Sequence, residues 1–390
     1  MHQLMLPLTK FTRAQLLLLV LLCICFNYVR LKYRIEQPLA EDERFQVHYM
    51  KSYSLDMDGL KSYVKRLPTT DRGRLPLSDY LICWPLAHWF SQNKYVMCIP
   101  YVLAANLFFW LFAFVNWGEF LRSVKEPLSK AFSFNWLNLI SVSFFTFNET
   151  AIKHAFEIRN WGAFTCLQGI LSFLLTWKMT QNRFRWKYLF GCLLILGFHF
   201  YGVIMLGISL ASHTASMSYQ LENKPGKKTL QESMKTCSSA YGTFIVACLI
   251  ASPLWLIYGG PLQGVNTHEY IHLGWRGIIQ VFSLLFHNPV LRNLSILPLV
   301  FGTVWMLKRW HMPIIFAIMM VEIPILTIYA LDLLNSYWFV QRQFLWVVPY
   351  WDVFVACSIF VSLAVVKNYV NKVNGNVNAI KRLDDPFVSL

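Results

Sequence analysis

The chain is short of charge: Asp, Glu, Lys and Arg together make up 14% of its 390 residues, while 56% are hydrophobic. That balance excludes a large water-soluble catalytic domain, which needs far more polar surface. Acid is scarcer still, with 20 Asp plus Glu against 35 Lys plus Arg, for a net charge of +15. In a soluble chain this excess would suggest nucleic acid; in so apolar a chain it points to lipid headgroups and phosphates, and no nucleic-acid partner is expected. The nine cysteines form no CxxC pair and most lie in apolar runs, so neither a disulfide framework nor a zinc site is expected. No internal repeat and no low-complexity tract is present.

What the chain has instead is a series of apolar runs, at about 14–29, 95–117, 132–147, 161–177, 188–198, 200–212, 241–258, 294–307, 312–331 and 344–366. A helical crossing needs roughly 20 apolar residues. The expected fold is therefore all-α: a polytopic membrane protein with about ten transmembrane helices. The first run follows Lys10 and Arg13 without a small-residue cleavage site and reads as an uncleaved crossing. A tight hairpin is expected around Gly197–Gly202.

Lys and Arg between the runs set the orientation. With the N-terminus in the cytoplasm, the clusters around Arg122, Lys178, Lys224, Lys308 and Lys367 all fall inside, and so does the C-terminus. The organisation expected is a membrane core over 1–366 and a polar cytoplasmic tail over 367–390, with exported loops at 30–94 and 259–293. The first loop breaks the trend, carrying Arg30, Lys32, Arg34, Arg44, Arg72, Arg74 and others; binding a lipid phosphate would explain it. Within it, Leu77–Phe90 is apolar, rich in Trp and Tyr, expected to be interrupted by Pro85 and too short to span, so it is expected to lie in the interface.

With acids so few, their positions are informative. Glu41-Asp42-Glu43 opens the first exported loop. A solvated charge run is the plain reading; the sharper one is a carboxylate base beside cations that hold a phosphate leaving group. Glu157 and Arg159 stand at the exported end of a later run, where ionisable groups also simply reach for the headgroups. His199 lies among aromatics in the expected hairpin and Arg342 opens the last crossing. All four features fall on one side under an orientation chosen without them.

The order of these segments resembles the membrane-embedded GT-C glycosyltransferases, in particular the branch of protein O-mannosyltransferases and lipid A aminoarabinose transferases. The resemblance rests on Asp42-Glu43-Arg44-Phe45, on Arg74-Leu75-Pro76-Leu77 leading an interfacial helix, and on Glu157-Ile158-Arg159-Asn160-Trp161-Gly162. His199-Phe200-Tyr201 and Arg342-Gln343-Phe344-Leu345 with Pro349 complete it, with Gln343 where an aromatic is usual. It implies inverting transfer of a sugar from a polyprenyl-phosphate carrier to a hydroxyl of a lipid, glycan or protein acceptor. It implies Asp42 as general base, with Glu41 the competing choice, and Glu43 supporting it or orienting a cation. Arg342, Arg159 and Arg74 would neutralise the phosphate, with Glu157 beside them and His199 bonding phosphate or sugar.

Glu41, Asp42, Glu43 and His48 could ligate a divalent cation, but their spacing matches no specific metal motif. His268 and His272, four apart near Glu269 and Arg276, read as a solvated amphipathic helix. The rival from another class is a transporter or lipid flippase, against which the missing repeat symmetry and the long first loop both count. The compact form suits a bacterial inner membrane with a periplasmic site; the sequons at Asn148 and Asn293 would matter only in an endoplasmic reticulum protein.

Overall fold

The computed structural model describes residues 9–70, 77–90, 93–121, 135–158, 162–181, 185–199, 201–222, 227–258, 275–335 and 341–373. These are helical, with no β-strand among the described residues. Helix α1 (Arg13–Glu36) is followed by three shorter helices, α2 (Glu41–Lys51), α3 (Met57–Thr70) and α4 (Leu77–Phe90). Next come α5 (Lys94–Phe114), α6 (Trp117–Leu121), α7 (Asn135–Thr146), α8 (Glu149–His154), α9 (Ala163–Thr180), α10 (Trp186–Phe198) and α11 (Tyr201–Glu222). The chain continues through α12 (Lys227–Thr236), α13 (Ser238–Tyr258), α14 (Trp275–Ser283), α15 (Pro289–Leu294), α16 (Ile296–Arg309), α17 (His311–Ala317), α18 (Ile323–Asn335) and α19 (Val348–Val373). A π-helical turn, Ile318–Glu322, joins α17 to α18.

A helix stands at each of the ten apolar runs, but length and composition alone qualify fewer as crossings. Four pass, Arg13–Glu36, Lys94–Phe114, His311–Leu334 and Val348–Val366, and a pair bent by 56° across Thr236 and Ser238 would make a fifth. Those helices make the chain an integral membrane protein. Their outward faces are leucine, isoleucine and valine: Leu17, Leu103, Leu333 and Leu363 are all more than half exposed, as a lipid-facing surface requires.

Local chemistry explains where the helices begin. Thr12 and Gln15 form a reciprocal capping box at α1. Asn93 accepts from the Tyr95 and Val96 amides at 3.1 and 3.2 Å to start α5. Inside the bundle, polar groups pair across helices instead of meeting water. The Asn27 and Asn106 amides exchange hydrogen bonds of 2.8 and 2.9 Å between α1 and α5. Serines and threonines return their hydroxyls to the carbonyl one turn back, as Ser141, Thr146 and Ser172 do. The centre is aromatic: the fully buried Trp117 packs against Phe112, Phe173, Phe316 and Tyr350.

The structure corrects two expectations. The first loop does not begin at residue 30: α1 runs on to Glu36, so Arg30 and Arg34 are helical and both are buried. They are not part of a headgroup-binding rim. Pro85 does not interrupt its segment either; Leu77–Phe90 is one helix through it. The hairpin is where the sequence puts it, with α10 ending at Phe198 and α11 starting at Tyr201. Gly202 makes the turn possible, because a Cβ there would stand 2.8 Å from the Ile195 carbonyl oxygen and 3.0 Å from the Gln168 amide nitrogen.

Gly302 on α16 lies so close to α19 that an added Cβ would collide with the Ser358 carbonyl. Gly302→Ala is therefore expected to destabilise the folded protein by about 1–3 kcal/mol by forcing the two helices apart. Thermal unfolding in detergent checks this against Gly242→Ala, where a Cβ meets nothing within 4 Å; equal melting temperatures for the two variants would contradict it.

Candidate functional site

The site is built around the start of α2. Glu43 occupies the third position of that helix, where a carboxylate complements the helix dipole and the free N–H groups. Its Oε2 accepts from the Ala40 amide at 2.8 Å. Arg34, nine residues earlier at the end of α1, grips both oxygens, Nη2 to Oε1 at 2.8 Å and Nη1 to Oε2 at 3.0 Å. The Ile158 amide supplies a fourth bond, to Oε1 at 2.8 Å. Glu43 is 1% exposed. Two carboxylate oxygens offer about four lone-pair positions, so Glu43 has none to spare for a proton in transit. It holds the Arg34 guanidinium and ties the start of α2 to the Ile158 segment.

That fourth bond matters most for the site. Ile158 sits inside the Glu157–Gly162 stretch, so the first loop and a segment 115 residues later meet on one carboxylate. Beside it, Glu157 Oε1 pairs with His154 Nδ1 at 2.8 Å. Glu157 Oε2 is buried with no hydrogen-bond partner among the described residues. Arg34 also turns its Nε to Cys98 Sγ on α5, at 3.2 Å.

A second junction forms at the hairpin. Gln168 on α9 donates to the carbonyls of Ile195, at 2.6 Å, and His199, at 3.0 Å, closing the hairpin. His199 is buried, and its Nδ1 accepts from the Tyr201 amide at 3.2 Å, which leaves Nε2 as its donor. The Tyr201 hydroxyl then donates to Gln343 Oε1 at 2.8 Å. Gln343 thus joins the hairpin to the Gln341–Phe344 turn that carries the half-buried Arg342. Gln341 fastens the same turn to α14 through the Gln280 carbonyl and, at 3.1 Å, the Ser283 hydroxyl.

Between the junctions lies Arg30, which sequence reasoning misplaced. It is 1% exposed and has no carboxylate partner among the described residues; its Nη atoms donate to the carbonyls of Phe26, Phe145 and Thr146 at 3.0–3.2 Å. Phe145 and Thr146 end α7, so the guanidinium closes the negative end of that helix. It also lies over the Phe26 ring, 3.7 Å from the centroid. A cavity of about 10 Å³, enough for a single water, is lined by Arg30, Phe145, Ala155, Gly162, Cys166 and Leu345. It touches both the Glu157–Gly162 and the Arg342–Leu345 segments. The available signal was the spacing: Arg30 and Arg34 are four apart and share a helix face.

Asp42 lies in the first turn of α2, one residue from Glu43, but the Glu41 and Asp42 side chains lie outside the described residues, as do Arg74 and Arg159. His268, Glu269 and His272 lie outside them too; Arg276 is exposed on α14. Among the described residues no three metal-binding side chains gather. Asn148 is 1% exposed and caps α8 through the Ala151 amide, which removes the first sequon as a glycan acceptor. Nearby, burial lowers the His287 pKa, and its Nδ1 meets the Thr150 hydroxyl at 2.7 Å.

The chain matches no family model, no curated protein and no solved structure.

Breaking a buried ion pair from one side leaves an uncompensated charge, at a cost of about 3–5 kcal/mol. Glu43→Leu is expected to destabilise the protein by about that much, and Arg34→Met/Glu43→Leu by distinctly less. Melting temperatures of the two purified variants decide it; a double variant no more stable than the single one would refute the latch.

Proposed function

We propose that the chain is a membrane-embedded glycosyltransferase of GT-C type. On this reading it crosses the membrane ten times with both termini in the cytoplasm of a bacterium. At the periplasmic end it moves a sugar from a polyprenyl-phosphate carrier to a hydroxyl of a lipid, glycan or protein acceptor. The observation that carries the reading is the Ile158 amide on Glu43. It joins the acidic opening of the first loop to the Glu157 segment, and the Tyr201–Gln343 bond joins the other two motifs in the same way.

The chemistry then distributes over the bundle end. Asp42 takes the proton of the acceptor hydroxyl; the freed oxygen attacks the anomeric carbon; the bond from that carbon to the phosphate oxygen breaks and the carrier phosphate departs. Attack opposite the leaving group inverts the anomeric centre. Arg342 and Arg159 neutralise the departing phosphate, with Arg74 nearer the interface, since a guanidinium fork matches phosphate oxygens. Glu43, its lone pairs engaged, fixes the start of α2 and so the position of Asp42. Glu157 accepts from a sugar hydroxyl, and His199 bonds the phosphate or the sugar.

General-base catalysis contributes about 10²–10⁴ in rate. Asp42→Asn is expected to lose at least a hundredfold in turnover with purified protein and polyprenyl-phosphate sugars while its melting temperature holds. Arg342→Ala is expected to act mainly on donor KM. Near-normal turnover in Asp42→Asn would defeat the assignment, and an unchanged donor dependence would remove Arg342 from the site.

A further inference from the structure

Helices α17 and α18, with the π-helical turn between them, form one apolar span, His311–Leu334. Glu322 lies eleven residues from its start and twelve from its end. At ~1.5 Å per residue that is about 17 Å from either end, midway through the ~30 Å hydrocarbon core. Glu322 is exposed, an exception on an outward face otherwise apolar: Ile318, Leu326, Ala330 and Leu333, spaced three or four apart along the same side, are exposed with it. It has neither a hydrogen bond nor an ion pair among the described residues, and no Lys or Arg occurs between His311 and Leu334. Ionisable residues at this depth are costly and as a rule face a protein partner or a water-filled cavity. The backbone marks the same point. The Ile323 N–H donates to the Ile318 carbonyl five residues back, and Pro324, which has no N–H, follows.

We propose that this face is the contact between two copies of the chain, with Glu322 of one hydrogen-bonded to Glu322 of the other. Two copies inserted with the same topology hold residue 322 at the same depth. A two-fold axis along the membrane normal beside this face therefore sets each Glu322 against its counterpart. Lipid tails offer neither donor nor acceptor. A protonated carboxyl carries both, so two of them satisfy each other through a pair of O–H···O bonds, with no third group and no charge left in the hydrocarbon. A basic side chain on the same face would repel its own copy; a carboxylic acid is self-complementary. Ile318 and Leu326, one turn to either side, supply apolar contact, and the small Ala330 lets the two backbones approach. The contact requires nothing of the chemistry at the bundle end.

The test is the monomer–dimer equilibrium of the full chain in phospholipid liposomes, read by energy transfer between separately labelled copies as the protein is diluted into lipid. The wild-type chain is expected to pair. Glu322→Leu, a side chain that suits lipid, is expected to weaken pairing about tenfold. Glu322→Gln, whose amide also donates and accepts, is expected to keep most of it. Ala330→Trp, which bars close approach, is expected to weaken it as well, while Leu103→Trp on the lipid-facing side of α5 leaves it unchanged. Melting temperatures report whether each variant is folded. Wild-type protein that stays monomeric at every dilution overturns the proposal, and so does pairing of equal strength in folded Glu322→Leu. Pairing lost in Glu322→Gln as fully as in Glu322→Leu would sink the hydrogen-bonded pair. A chain that is monomeric when pure, yet crosslinks from residue 322 to a different membrane protein in native membranes, would give the face to that protein and remove the second copy.

Discussion

The bundle end depends on one buried ion pair. Arg34 and Glu43 are both withdrawn from water, and taking two charges out of water costs several kcal/mol per ion before they attract each other. Such a pair persists where the remaining hydrogen-bonding positions are filled, and here they are: the Ala40 and Ile158 amides complete the carboxylate and Cys98 meets the Arg34 Nε. What the pair contributes is geometry. Four separate pieces of chain, α1, the start of α2, α5 and the segment after α8, are fixed relative to one another, three by the carboxylate and α5 through the Arg34 Nε. Asp42, adjacent in sequence, is placed as a consequence.

Arg30 follows the same logic by another route. The guanidinium is held by carbonyls at the C-terminal end of α7 and by the Phe26 face. The charge answers a helix end that water cannot reach. The two arginines, one turn apart, thus close two different structures, and the small cavity beside Arg30 is the space left where α1, α7, α9 and the Leu345 turn meet. Away from this end the bundle relies on aromatic packing around Trp117 and on small-residue contact such as Gly302 against Ser358, both suited to helices whose outer faces meet lipid.

The helices were legible because runs of apolar residues leave few alternatives, and the hairpin because Gly197 to Gly202 punctuates a stretch too long for one crossing. The end of α1 was not legible: Arg30, Lys32 and Arg34 look like the start of a polar loop, whereas the helix continues until partners for two of them have been reached. Pro85 misled in the opposite direction, because a helix of 14 residues tolerates it. The Glu43 and Glu157 segments were both noticed, yet nothing in the spacing of residues 43 and 158 announces a shared hydrogen bond. Contact between distant segments is a property of packing. The role of Gln343 was hidden for the same reason: as a departure from a motif it looked like a flaw, and in the fold it receives the Tyr201 hydroxyl.

The account stands or falls on whether this bundle end transfers a sugar. The most direct measurement is a mass-spectrometric comparison of membrane glycolipids, and of protein- and polymer-linked glycans, from cells with the protein and from cells without it. The account predicts that one glycoconjugate loses a single sugar residue when the protein is absent and that the mass difference names the sugar class. Identical profiles across all three fractions would contradict it.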